Sequence, residues 1–209
     1  APDGRELVLY ERDGVYAIRV NGLELMSSRA HGSEEELARL TLARVQGVPR
    51  SVLIGGLGMG YTLRAVLDAA RRPARVVVAE ILPAVVDWNR SHLATLARHP
   101  LDDPRVAVEV RDVAEVLAGS PGAFDAILLD VDNGPAAFTT ASNQRLYTSS
   151  GLAAIRRSLR PGGALGVWSA DPEPPFARRV ERAGFRVEIT TVAARTGARG
   201  PQHTIFVAF

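Results

Sequence analysis

Two carboxylates stand two positions apart in the stretch Asp130-Val131-Asp132-Asn133-Gly134-Pro135. Acids this close repel one another, and partial burial raises the pKa of one of them, which makes it a base suited to an amine. A plainer reading is a capped turn, because Asp, Asn, Gly and Pro all favour turns. A turn needs only one of the acids, so the pair favours chemistry, with Asp130 and Asp132 as catalytic candidates. Further upstream, the run Gly55-Gly56-Leu57-Gly58-Met59-Gly60 follows an apolar strand and precedes a helix. Glycines at 55, 56, 58 and 60 let the backbone turn tightly and approach a ligand, and the helix start offers unpaired N–H groups. Glu80 lies 20 residues after Gly60, where a carboxylate can accept both hydroxyls of a ribose. Asp112 follows the next strand, within reach of an adenine amino group. Their structural alternatives are a solvated strand end for Glu80 and a helix N-cap for Asp112. Taken together, the loop and the acids favour an adenosyl ligand.

Those residues need elements to hold them. Apolar runs at 52–54, 75–79, 106–110, 126–129 and 164–168 predict strands. Between them, helices are predicted over 59–70, 84–98, 113–117, 151–159 and 176–183. Continuous apolar strands alternating with helices imply a parallel sheet covered on both faces. Two last strands, over 185–193 and 204–209, read as a hairpin. The expected fold class is α/β, a doubly wound Rossmann-like sheet of the class I methyltransferase type ending in an antiparallel hairpin. Ahead of it, runs at 7–10, 16–20 and 23–26, broken by Asp13-Gly14 and Asn21-Gly22, predict a small antiparallel meander. Residues 1–32 then form a short β unit and 33–209 the main domain. Ser33-Glu34-Glu35-Glu36 reads as a capping box with Ser33 as N-cap, opening a helix to about Gln46.

Composition narrows the chemistry. The chain has 209 residues, no cysteine and no lysine; all 25 basic residues are arginine. Thiolate catalysis, Cys-based zinc sites and Schiff-base lysines are therefore excluded. The formal net charge is only +2. The arginines are scattered without interleaved aromatics, so no nucleic-acid partner is expected. Four histidines without ligand spacing predict no metal. No apolar run is long enough for a membrane span, and the reading is a soluble, cytoplasmic chain with no membrane partner.

The segment Val52–Gly60, Glu80, Asp112 and Asp130–Pro135 resembles the spermidine synthase family of aminopropyltransferases. So do Asp102-Asp103-Pro104-Arg105-Val106, Leu146-Tyr147-Thr148 and Leu159-Arg160-Pro161-Gly162-Gly163. The resemblance covers about residues 16–170. It implies a methyltransferase-like fold behind a small β domain, and transfer of an aminopropyl group from decarboxylated S-adenosylmethionine to an amine. It implies that Glu80 binds the ribose, Asp112 the adenine, and that Asp130 deprotonates or orients the amine. A homodimer is a further implication. The chain also departs from the pattern. Gly58 stands for the aspartate of the family's GGGDGG loop, and the loop after Asp130 is short. Glu34-Glu35 replaces the pair that grips the polyamine, and the N-terminal β unit is reduced. The acceptor is then a small-molecule amine or other small nucleophile that need not be the usual one, and S-adenosylmethionine itself is an alternative donor. That alternative makes the chain a methyltransferase acting on a small nucleophile; a non-catalytic nucleoside-binding module is another.

Several single residues complete the candidates. Glu34 and Glu35 suit a cationic acceptor, although acids at a helix start also favour the dipole. His31 lies in a polar loop that could cover the crevice, and Tyr147 is a substrate-binding candidate. Trp168 ends the fifth strand of the main domain and is expected in the core. His92 and His99 are expected at the surface, and residues 195–201 as a hairpin connection.

Overall fold

The computed structural model describes residues 6–70, 74–131, 134–135, 141–195 and 200–209. The N-terminal strands β1 (Leu7–Arg12), β2 (Val15–Val20) and β3 (Leu23–Ser27) form the expected antiparallel meander. Both predicted turns adopt left-handed backbone: φ is 53° and 74° at Asp13-Gly14, and 48° and 80° at Asn21-Gly22. Such turns match the twist of the flanking strands. Ile18 in β2 anchors the meander on Met59 and Leu93 of the main body.

The main sheet contains β4 (Ser51–Gly55), β5 (Arg75–Ala79), β6 (Val106–Glu109), β7 (Phe124–Leu129), β8 (Leu159–Ser169), β9 (Val187–Ala193) and β10 (Gln202–Ala208). Its order is β6-β5-β4-β7-β8-β10-β9. The neighbours from β6 to β8 pair in parallel, and β10 lies antiparallel to both β8 and β9. This is the doubly wound sheet with a closing hairpin. Side chains alternate across it as the pleat requires. Leu53, Val77, Ile127 and Leu129 pack with α4 (Val113–Ala118), α6 (Ser149–Ser158) and α7 (Pro174–Arg182). Val52, Ile54, Val76, Val78 and Leu128 pack with α1 (Gly32–Leu42), α2 (Tyr61–Ala69) and α3 (Pro83–Arg90). Both faces are buried, which is why these strands read as unbroken apolar runs. The direction of winding reverses between β4 and β7, so a crevice opens at their carboxyl ends.

The Asp103–Arg105 segment turns out to be a staple. Arg105 bonds Asp103 at 2.9 and 2.8 Å and reaches the carbonyls of Leu67 and Ala70 at 3.1 and 3.2 Å. It thereby closes the C-terminal end of α2, whose last carbonyls have no helical partner. The guanidinium holds the Asp103 carboxyl down at about 2.

Some boundaries differ from the sequence expectation. α3 stops at Arg90, and residues 91–98 wind on as successive turns. Ser91 breaks the helix with φ −129° and ψ −95°, its hydroxyl donating back to the Asp87 carbonyl. The apolar spacing continues because Leu93, Ala94 and Ala97 are still buried. α1 ends at Leu42, short of Gln46. It starts at Gly32 with His31 at the N-cap position, so Ser33 lies inside the first turn and caps nothing. Glu36 closes no capping box either and pairs instead with Arg39 at 2.9 and 3.0 Å. β8 begins at Leu159, before Pro161-Gly162-Gly163, by pairing with Phe124 ahead of a register shift. A short helix, α5 (Ala141–Leu146), was not foreseen.

Candidate active site

A cavity of about 400 Å³ fills the crevice. Its floor is the turn leaving β4. Gly56 has φ +89°, and a Cβ there would sit 2.2 Å from the Asp130 carbonyl oxygen. Only glycine lets these two backbones approach so closely. Gly60 has φ +84° at the N-cap of α2. Asn89, 1% exposed in α3, donates to the Gly58 carbonyl at 2.8 Å and to the Val85 carbonyl at 2.9 Å. It fixes the loop's middle. Sequence reasoning passed over Asn89, although a lone amide on the apolar face of a helix was a usable signal. Gly55 is different: it is strand backbone squeezed between Val113 and Leu129 and supports the loop rather than lining the cavity.

Glu80 is buried rather than solvated, at 7% exposure. Its two oxygens accept the N–H groups of Leu57 at 2.9 Å and Leu82 at 2.9 Å. The carboxylate is held rigidly at the cavity wall, beside the loop whose shape it helps to set. Asp112 has the N-cap role of its structural reading, accepting the Ala114 N–H at 2.8 Å at the start of α4, and it also faces the cavity.

Asp130 ends the β7 segment and also lines the cavity. Thr62, in the first turn of α2, donates its hydroxyl to Asp130 Oδ2 at 2.6 Å. Burial raises the Asp130 carboxyl to about 6, and the Thr62 bond only partly offsets this. Glu34 enters the same cavity from α1. Burial first, and then the Asp130 charge, push Glu34 up to about 7. Two acids from distant parts of the chain thus share one cavity, both raised by burial and Glu34 further by the Asp130 charge. Asp132, the second acid of the sequence pair, lies outside the described residues, as does Asn133. Gly134 is described, with φ +93° and packed on Ser169.

The other candidates divide. Glu35 is next to Glu34 but points elsewhere, because successive helical residues diverge by about 100°. It pairs with His31 at 2.9 Å, and both line a separate groove beside α2. The His31 ring stacks on Tyr61 with centroids 4.2 Å apart. Tyr147 is not among the described residues lining the cavity. It is buried in the core, edge-on to Phe176 at 5.5 Å. Trp168 does both: it packs partly buried against the core and lines the cavity, together with His203 and Pro201. Its indole N–H donates to Ser33 Oγ at 3.0 Å. Residues 196–199 of the hairpin connection lie outside the described residues. His92 and His99 are exposed.

Among the charged lining residues carboxylates predominate: Glu24, Glu34, Glu80, Asp112 and Asp130 stand against the lone guanidinium of Arg111 among the described residues. Such a lining concentrates cations. Among those residues no three His, Asp or Glu side chains gather as metal ligands. No described helix is long and apolar enough to cross a membrane.

The raised pair makes a stability prediction. A carboxyl whose pKa is raised on folding binds more protons folded than unfolded. Its stabilising contribution is full below about pH 4 and is lost as pH climbs through 6 to 7. Glu34→Gln removes this late penalty. It is expected to raise the thermal midpoint at pH 8 by about 2–4 °C, on the order of 1 kcal/mol. The gain shrinks toward zero at pH 5. Equal gains at both pH values in thermal melts would contradict the pairing.

Comparison with known proteins follows the same lines. The Spermine/spermidine synthase domain matches residues 31–178. The Polyamine aminopropyltransferase 2 of Pseudomonas aeruginosa is 37% identical over 123 residues, covering 57% of this chain and 33% of that protein. The polyamine aminopropyltransferase of Nitrosomonas europaea is 32% identical over 158 residues, covering 75% of this chain and 46% of that protein. The chain thus spans between a third and a half of the length of these curated relatives. The spermidine synthase of Thermotoga maritima superposes with a TM-score of 0.79 at 21% identity, covering 98% of this chain and 69% of that one. A spermidine synthase bound to the transition-state analogue AdoDATO gives 0.77 at 21% identity, covering 99% and 69%. A precorrin-6y methyltransferase of Geobacter metallireducens gives 0.59 at 16% identity, covering 83% and 87%. These structural likenesses establish the fold.

Proposed function

The chain belongs to the spermine/spermidine synthase family, and from that premise we propose that it transfers an aminopropyl group from decarboxylated S-adenosylmethionine to a cationic amine. The observation that carries this reading is the placement of Asp130 and Glu34 in one cavity, each raised toward neutrality. An amine nucleophile needs a base that is unprotonated near pH 7 yet basic enough to accept a proton.

The adenosyl part of the donor lies along the Gly56–Gly60 loop. Glu80 accepts the ribose hydroxyls, and Asp112 accepts the adenine amino group. The acceptor enters on the side of Glu34, Trp168 and His203 as an ammonium drawn by the acidic lining. Asp130 takes its proton. The neutral nitrogen then attacks the methylene carbon beside the sulfonium. A C–N bond forms, the C–S bond breaks, its electron pair goes to sulfur, and methylthioadenosine leaves. Positioning supplies much of the rate, because the sulfonium is already a good leaving group. Asp132, which lies outside the described residues, is kept in this reading as a helper to Asp130 on the sequence alone. A homodimer remains part of this reading on the family premise alone.

One observation favours a second reading. Leu57, Gly58 and Met59 present no carboxylate toward the donor's amino tail. A donor that still carries its own carboxylate therefore meets no repulsion from this loop, which is what methyl transfer from S-adenosylmethionine would require. The rest of the lining opposes it, since the cavity is rich in acids. Calorimetric titration with both donors decides between them. The decarboxylated donor is expected to bind at least about tenfold more tightly, a difference of about 1.4 kcal/mol. Tighter binding of S-adenosylmethionine would replace aminopropyl transfer with methyl transfer. Binding of neither would leave a non-enzymatic role.

A further inference from the structure

Ser33 is fully buried, yet its hydroxyl meets three side chains. Trp168 Nε1 lies 3.0 Å from Ser33 Oγ, His203 Nδ1 lies 2.8 Å from it, and the hydroxyl donates to Glu34 Oε2 at 2.6 Å. A hydroxyl has one proton and two acceptor sites, and an indole N–H can only donate. Trp168 therefore occupies one acceptor site permanently. The remaining site and the proton are shared between Glu34 and His203, which allows two arrangements. When Glu34 is ionised, Ser33 donates to it and His203 donates its Nδ1–H to Ser33. When Glu34 is protonated, it donates to Ser33, and Ser33 turns its proton to a bare Nδ1, leaving His203 protonated on Nε2. His203 is partly exposed, and no described residue bonds its Nε2.

We propose that Ser33 and His203 form a proton relay through which Glu34 exchanges its proton with solvent while the cavity is occupied. In the outward direction the Glu34 acid gives its proton to Ser33 Oγ as Ser33 gives its own to His203 Nδ1. The resulting imidazolium loses its Nε2 proton to water. Glu34 is left ionised, Ser33 is restored, and His203 carries its proton on Nδ1. The use of the relay rests on the aminopropyl-transfer reading. An acceptor that arrives as an ammonium and leaves as a substituted ammonium releases one proton per turnover; Asp130 takes it, passes it to ionised Glu34 in the same cavity and is restored, and the relay then discharges Glu34. His203 acts through Glu34, so it is a positioning and relay residue.

The charged and titratable groups around the relay set its working range. Asp171 faces His203 and favours its protonation, but burial outweighs this and keeps the ring neutral to lower pH than usual. Asp130 and Glu35 face Glu34 and raise it, and the Tyr61 phenol lies near both glutamates. Glu34 thus titrates while His203 is uncharged.

Nitrogen-15 spectra of the histidine rings test the relay without any need for turnover. The chain has four histidines, and His203→Ala assigns the relevant signals. As pH falls through neutrality, His203 is expected to move from the Nδ1–H to the Nε2–H tautomer while staying uncharged. Ser33→Ala and Glu34→Gln are each expected to abolish that pH dependence. A single tautomer throughout, or a switch that survives Glu34→Gln, overturns the relay. In turnover assays His203→Ala is expected to lower kcat roughly tenfold and to regain it with added imidazole. A loss that imidazole does not restore overturns the catalytic use. An inactive wild type would sink the transfer reading alone, and the spectra would still decide the relay.

Discussion

Asp130→Asn is expected to lower kcat by about 10²–10⁴, the usual worth of a positioned acid–base group, and to leave donor affinity within about threefold. The amide is close in shape to the carboxylate and still accepts the Thr62 hydroxyl, which lies 2.6 Å from Oδ2. What it lacks is the ability to take a proton. In the proposed reading donor binding depends on Glu80, Asp112 and the glycine loop, whose side chains this substitution leaves unchanged. The pH profile supplies a second, independent sign. In the proposed mechanism the base works only when ionised, so turnover is expected to rise with pH through the Asp130 titration, at about 6. The residual activity of the variant should lack that acidic limb. Substantial turnover with an unchanged limb would remove Asp130 from the role of base and shift it to Glu34.

Gly56→Ala carries the largest expected structural cost. The added methyl would lie 2.2 Å from the Asp130 carbonyl oxygen and 3.0 Å from its carbon. Neither can move cheaply, since the Asp130 N–H is bonded to the Gly55 carbonyl at 2.9 Å. The φ of +89° adds a left-handed penalty of about 1–2 kcal/mol for any residue with a Cβ. Crowding in a packed interior adds about 1–3 kcal/mol. A total loss of about 2–5 kcal/mol is expected in denaturant unfolding, together with loss of donor binding in calorimetry. Gly58→Ala is the control: φ is +53° there, but the nearest atom is the flexible Met26 sulfur at 3.4 Å. Equal losses at both positions would mean that backbone conformation alone, and not the approach to Asp130, makes position 56 a glycine.

The donor half of the site was legible in the sequence because it is local. A strand, a glycine turn, a helix and an acid after each of the next strands lie in order between residues 52 and 112, and the structure keeps them in that relation. The meander was legible for the same reason, since Asp13-Gly14 and Asn21-Gly22 dictate their own turns. The strand order was not, because parallel pairing leaves no local trace. The end of α3 was hidden because Leu93, Ala94 and Ala97 stay buried along a chain that is no longer helical. The acceptor half was hidden most completely. Ser33 and His203 are 170 positions apart, and Trp168 looks like any core indole until the fold brings it to Ser33. Glu34 and Glu35 could not be told apart without the phase of the helix.

The bond between Ser33 and His203 also joins two chain segments that flank the rest of the site in sequence. In the proposed reading the donor recognition elements sit in one uninterrupted stretch, whereas the acceptor wall is shared between segments on either side of it. Substitutions in the flanks can alter which amine is accepted without disturbing the nucleoside. Substitutions in the middle strike every acceptor alike.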